Sequence, residues 1–283
     1  MRTGARRVSP VACDMHDHLM WVFDDDADFA RAAVAFLADG VARGERLVYG
    51  AARPVPALTA ELDGLGGRDT LVAAGALDIV DVRGLACLAD ADRHDLFRDA
   101  VTRAVADGHT GLRVAVDTTG MSGPAFDCDR QARWERWSDH LIVDHPVTAI
   151  CGLNRAVVGD AAVADMVALH PSANGDDSPA PFAVFAVPGG AAVSGEVDVT
   201  HCDELARALA LEEPGPHAVV LDLSRVDFID GRGLATIVAW AHRQADAGGV
   251  LVVDGASPFV RRLWELCEFD RHPAAPIAEA RPG

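Results

Sequence analysis

Short apolar runs alternate with amphipathic segments along the first 170 residues of the chain. Short, largely apolar segments at positions 47–50, 77–82, 112–117 and 147–153 predict strands. Apolar residues spaced by three and four predict helices over positions 29–37, 55–65, 95–105, 130–143 and 161–169. This alternation indicates an α/β domain with a parallel sheet and helices on both faces.

A second α/β pattern occupies the last hundred residues or so. The apolar run 218–223 predicts a central strand, and Asp230 stands where the N-cap of the following helix is expected. Ser257 is predicted to cap a last helix. Thr200 and Asp203 are expected to form a capping box at the start of an earlier helix.

A segment rich in proline, glycine, serine and aspartate separates the two patterns and shows no apolar periodicity. We therefore predict one domain at 1–171, a linker at 172–181 and a second, smaller domain at 182–283. Half of the residues are hydrophobic, so each domain can bury a core.

The charge of the chain excludes several classes of partner. The formal net charge is −18, and no cluster of lysines or arginines offers the basic stripe that nucleic acid or an anionic membrane requires. No apolar run approaches the roughly 20 residues of a membrane span, and the N-terminus lacks the apolar core of a signal peptide. The six cysteines are scattered without CxxC pairs, as in reduced proteins, so the expected location is the cytoplasm.

Catalytic signatures are missing from the sequence. Neither the phosphate-binding GxxxxGK[ST] loop nor the GxSxG nucleophile elbow occurs, so we predict no catalytic residue and no enzyme activity. Ligands of parallel sheets bind beyond the carboxyl ends of the strands, here near 51–54, 117–120 and 152–155. Arg53, Arg113 and Asp117 are therefore candidate ligand-binding residues, although an arginine at a strand end is more often a surface ion-pair partner.

Cys13, His16 and His18 form a group that resembles a metal site in composition. A structural zinc site usually takes four ligands from two separated pairs, and no second pair is visible, so we predict no metal and no cofactor. In an N-terminal strand His16 and His18 would point to the same face. They are candidates for lining a ligand pocket, or are ordinary strand residues.

The C-terminal part resembles the STAS domain of bacterial anti-sigma-factor antagonists over about 181–273. The resemblance lies in GEVD at 195–198 and in the strand ending FID that leads into the helix after Asp230. In that family an anti-sigma-factor kinase phosphorylates a serine or threonine following this aspartate, and here the position is Gly231. The resemblance implies a partner-binding surface at the helix start, and the alternative is a plain strand-to-helix turn. The candidate residues are Asp230, Gly231, Arg232, Gly233 and Leu234.

The N-terminal part is similar to the MEDS domain, a sensory module related to the RecA-like fold, over 11–171. The resemblance lies in His16 and His18, GVARGERLVYGAA at 40–52, GALDIVDV at 75–82, GLRVAVDTTGM at 111–121 and the segment 134–155. It implies a RecA-like parallel-sheet sandwich that senses a small molecule.

Together these features predict a bacterial signalling regulator that is not an enzyme. The MEDS-like domain would sense a small molecule, and the STAS-like domain would bind an anti-sigma factor of the serine-kinase type to control sigma-dependent transcription. The alternative is a degenerate nucleotide- or ligand-binding module whose STAS-like half is a dimerisation scaffold. A homodimer fits either interpretation.

Overall fold

The structure is a computed structural model that describes residues 9–123, 125–174 and 180–269. It separates into two units, one ending at Pro179 and the other beginning at Ala180. Positions 175–179 of the predicted linker, and positions 1–8 and 270–283 of the predicted domains, lie outside the described residues. Both units have a mixed α/β fold, as the sequence predicts.

Unit 1 is built on a six-stranded sheet in which every pairing is parallel. Its strands are β1 (His18–Phe23), β2 (Arg46–Ala51), β3 (Leu77–Asp81), β4 (Leu112–Asp117), β5 (Val147–Asn154) and β6 (Ser172–Ala173). Their order across the sheet is β3-β2-β4-β5-β1-β6. The short edge strand β6 lies within the segment predicted as linker.

Seven helices of unit 1 cover this sheet: α1 (Asp26–Arg43), α2 (Val55–Glu61), α3 (Arg68–Ala73), α4 (Asp90–Ala106), α5 (Cys128–Asp144), α6 (Arg155–Val158) and α7 (Asp160–Val167). On one face, α1 and α2 pack against side chains that include Tyr49 and Ile150. On the opposite face, α4 and α5 pack against Leu112 and Ala149. Successive strand residues point to opposite faces, so both faces of the sheet are apolar and both are covered by helices.

Within residues 180–269, unit 2 has a four-stranded sheet and three α-helices. The strands are β7 (Phe182–Val187), β8 (Gly190–Val197), β9 (Ala218–Ile229) and β10 (Val250–Asp254), in the order β10-β9-β8-β7. The first two strands pair antiparallel and the others parallel. The helices are α8 (Cys202–Ala210), α9 (Gly231–Asp246) and α10 (Pro258–Leu266).

Two local expectations are wrong. The Thr200 hydroxyl donates to Asp198, and α8 begins after His201 without a side-chain cap, so the predicted capping box does not form. His16 lies in a turn before β1 with φ of 71°, so it does not share a strand face with His18. The N-caps at Asp230 and Ser257 are confirmed. No helix within the described ranges combines the length and the apolar character needed to span a bilayer.

Candidate functional site

A cavity of about 570 Å³ lies in unit 1 between the sheet and the helices α4 and α5. Apolar side chains form most of its wall, among them Val114 of β4, Phe97 of α4 and Trp134 of α5. His18 and Cys151 also line it. Pockets that hold small molecules usually measure about 300–1,000 Å³, so the cavity has room for a small apolar ligand.

Arg93 of α4 places a cation in the cavity wall although its side chain is only 2% exposed. Its guanidinium lies 4.5 Å from the centre of the Trp134 ring, and Nη1 lies 3.6 Å from Asp90. Burial, and then the charge of Arg130, lower the pKa of Arg93. Its Nε and Nη2 find no hydrogen-bond acceptor within the described part of the chain. Arg93 thus gives the cavity wall a buried positive charge beside an aromatic ring.

His18, Glu135, Cys151 and His170 form a fully buried cluster next to the cavity, and one donor atom from each lies within 4.8 Å of the others. The Nε2 of His18 lies 3.2 Å from the Cys151 sulfur. The Oε2 of Glu135 lies 3.5 Å from the same nitrogen and 3.4 Å from Nε2 of His170. The four residues come from β1, α5, β5 and the turn after α7.

The outward nitrogen of each cluster histidine has a fixed partner. The Nδ1 of His18 lies 3.0 Å from Oδ1 of Asp139, and the Nδ1 of His170 lies 2.8 Å from the Met166 carbonyl oxygen. Both partners are acceptors, so each Nδ1 carries a proton and, in a neutral ring, the lone pair is on Nε2. When both rings are neutral, their lone pairs therefore point into the cluster.

Glu135 is held from the other side by Gln131, whose Nε2 donates to Oε1 at 2.6 Å. Burial by itself raises the pKa of Glu135, but the close approach of His170 and His18 outweighs burial and holds this pKa well below its usual range. Burial, followed by the charge of Glu135, raises the pKa of the Cys151 thiol. The cluster thus contains a buried carboxylate beside a thiol that stays protonated unless a cation is near.

The other predicted ligand-binding residues lie outside this cavity. Arg53 and Asp117 do meet at the carboxyl ends of β2 and β4, 3.2 Å apart. Arg53 also pairs with Glu61 at 2.8 Å and with Asp26 at 3.0 Å. Three carboxylates therefore surround this guanidinium, which leaves little positive potential for an anionic ligand.

Arg113 and His16 also make contacts within unit 1. The fully buried Arg113 points to the α1 face, where it pairs with Glu45 and lies 3.1 Å from Asp39. The Nδ1 of His16 lies 2.8 Å from the carbonyl oxygen of Ile142. Of the five predicted ligand-binding residues, only His18 lines the cavity.

Glu135, Cys151 and His170 escaped the sequence analysis because they are far apart along the chain. One signal was present in α5, where Gln131, Glu135 and Asp139 recur every four residues on a buried stripe. Three polar side chains on the buried side of a helix need partners in the interior. Their spacing could have indicated a polar site beneath α5.

In unit 2 the start of α9 lies at the surface. Oδ1 of Asp230 accepts hydrogen bonds from the backbone nitrogens of Arg232 and Gly233 at 2.9 and 2.8 Å. Arg232 is exposed, Asp230 and Gly231 are half-buried, and Gly233 and Leu234 are buried. A partner docking here could touch Asp230, Gly231 and Arg232. Gly233 and Leu234 face the interior of the unit.

Two exposed aromatic rings lie close to this helix start. Phe228, near the end of β9, is 40% exposed, and Phe259, in the first turn of α10, is 54% exposed. Their ring centres lie 6.3 Å apart in a stacked arrangement. Exposed aromatic side chains next to a charged helix start are suited to a protein interface.

Comparisons with known proteins match each unit separately. Residues 17–171 match the model of the MEDS domain, the "MEthanogen/methylotroph, DcmR Sensory domain". Residues 188–277 match the model described as "Mlab, STAS domain".

A relative from Bordetella bronchiseptica, named "Putative anti-sigma factor antagonist BtrV", is 32% identical over 80 residues. The aligned region covers 28% of this chain and 69% of the relative. It supports a regulatory role of the STAS kind. The chain therefore belongs to the MEDS domain family and joins this domain to a STAS domain of the anti-sigma-factor-antagonist type.

Proposed function

We propose that this protein is a non-enzymatic regulator in which unit 1 senses a small molecule and unit 2 binds an anti-sigma factor of the serine-kinase type. Sequestering that partner would free a sigma factor and change transcription. The observation that carries the proposal is the exposed start of α9, because it lies in the unit that resembles an anti-sigma factor antagonist.

Gly231 gives this surface its particular character. Among the described residues, a Cβ atom at this position would meet only the Cys267 sulfur at 3.6 Å, which is an ordinary contact, so their backbone leaves room for a serine. The chain nevertheless has no hydroxyl there to accept a phosphate. The surface would then remain in its unphosphorylated, binding-competent form, and regulation would come from unit 1 or from the partner.

The cavity supports the sensing half of the proposal. Its apolar wall would bind the body of a small molecule, and the positive charge of Arg93 in that wall would attract an acceptor group on it. Arg53 is already surrounded by carboxylates, and this disfavours the nucleotide-binding alternative.

The test is a pull-down from lysate of the source cells with the full chain, Gly231→Asp and Gly231→Asn. We expect the wild type and Gly231→Asn to recover an ATP-binding anti-sigma kinase, identified by mass spectrometry. Gly231→Asp should bind it at least about tenfold more weakly, or about 1.4 kcal/mol, because a charge would be left unpaired in the interface.

Gly231→Asn is the matched control because it has the shape of aspartate without the charge. Recovery of such a kinase by none of the three proteins, or equally by all three, would contradict the proposed contact. Stoichiometric phosphorylation of wild-type residues 224–236 would contradict the absence of a phospho-switch.

A further inference from the structure

The buried cluster has the dimensions of a metal coordination sphere. In tetrahedral zinc sites, bonds of about 2.0–2.3 Å place neighbouring ligand atoms about 3.3–3.6 Å apart. The three separations measured here, between Nε2 of His18, Sγ of Cys151, Oε2 of Glu135 and Nε2 of His170, are 3.2, 3.5 and 3.4 Å. The other three separations among these four atoms are no more than 4.8 Å, so the donor atoms lie close enough together to share one ion.

Two of the four donor atoms in this cluster make no hydrogen bond to the described residues. Neither Oε2 of Glu135 nor Nε2 of His170 has a hydrogen-bond partner among the described residues, although the two atoms lie 3.4 Å apart. Buried polar atoms without a hydrogen bond lower the stability of the fold, and a cation bound between these two atoms would offset that loss.

The outer contacts complete the resemblance to a metal site. Metal-binding histidines usually donate their second nitrogen to a carboxylate or a backbone carbonyl, which fixes the ring and its tautomer. Asp139 and the Met166 carbonyl occupy these two positions here, and Gln131 holds the outer oxygen of Glu135.

We propose that His18, Glu135, Cys151 and His170 bind one divalent transition-metal ion of the zinc class. Two imidazoles, a thiolate and a carboxylate form a donor set of borderline softness that suits Zn²⁺ and disfavours Mg²⁺ or Ca²⁺. Binding replaces the Cys151 thiol proton with the metal, and the proton leaves to solvent.

Four protein ligands make a closed site, so the ion has a structural role. It joins β1, β5, α5 and the turn after α7 at one wall of the cavity, to which His18 and Cys151 also belong. This inference depends on unit 1 alone and stands whether or not unit 2 binds an anti-sigma factor.

The experiment is a titration of the chelator-stripped full chain with Co²⁺, followed by competition with Zn²⁺. We expect one equivalent of Co²⁺ to produce the visible bands of a tetrahedral ion and a near-ultraviolet band from thiolate-to-cobalt charge transfer. Absence of these bands in the wild-type protein would overturn the proposal without any variant.

Variants then assign the ligands. Cys151→Ser should lose the charge-transfer band, and His170→Ala should weaken Co²⁺ binding by more than the about 10–100-fold expected for the outer contact in Asp139→Asn. The controls are Cys87→Ser and His145→Ala, which change exposed residues outside the cluster. A band that persists in Cys151→Ser, or unchanged affinity in His170→Ala, would overturn the assignment.

Discussion

The two units carry their functional groups in opposite ways. In unit 1, four buried side chains from four separate segments converge beside a largely apolar cavity. In unit 2, Asp230, Gly231 and Arg232 are consecutive in sequence and lie at the surface where a strand leads into a helix. The first arrangement is suited to enclosing something small, and the second to presenting a surface to another protein.

This difference predicts how strongly a substitution affects the stability of each unit. A buried polar group depends on every neighbour that satisfies it, so one substitution affects the whole cluster. An exposed helix cap interacts mainly with its own backbone and with water, so its loss is local. Three substitutions test this contrast, from the largest expected effect to the smallest.

The largest effect is expected from Glu135→Ala. Removing this carboxylate leaves His18, His170 and Gln131 without their buried partner, and we expect unit 1 to lose about 3–5 kcal/mol of stability. Hydrogen exchange of unit 1 peptides measures the change. Asp144→Ala, at the exposed end of the same helix, is the control and should change stability by less than about 0.5 kcal/mol. Equal exchange in the two variants would mean that the cluster does not support the fold.

The second effect concerns the cavity. A ligand present at 100 times its dissociation constant should stabilise unit 1 by about 2.7 kcal/mol, and Ala100→Phe should abolish this gain by filling the cavity. The measurement is a thermal shift with a panel of small acids, alcohols and hydrocarbons. Ala106→Phe adds the same ring at an exposed position of α4 and should respond like the wild type. Ligand stabilisation that survives in Ala100→Phe would place the binding site elsewhere.

The smallest effect is expected from Asp230→Ala. Losing the cap of α9 should cost about 1 kcal/mol, whereas Asp230→Asn should cost only a few tenths because asparagine caps equally well. Hydrogen exchange at the start of α9 measures both. If Asp230→Ala lost as much stability as Glu135→Ala, the two units would not differ in how they tolerate substitution.

Local patterns predicted much of the fold. The strand Leu112–Asp117 has the predicted bounds, and the caps at Asp230 and Ser257 form as expected. These features depend on apolar runs and on hydrogen bonds between near neighbours. The capping box at Thr200 failed because Asp198, two residues earlier, competes for the same hydroxyl.

The sequence by itself determined the two α/β patterns, the segment between them and the exposed helix start with glycine at position 231. Only the tertiary structure decided that His18 meets Glu135, Cys151 and His170. The physical reason is that the order of strands in the sheet places β1 beside β5, although more than a hundred residues separate them in the chain. Local spacing can show that α5 buries polar side chains, but it cannot show which distant residues meet them, because the sheet and the helix packed on it create those contacts.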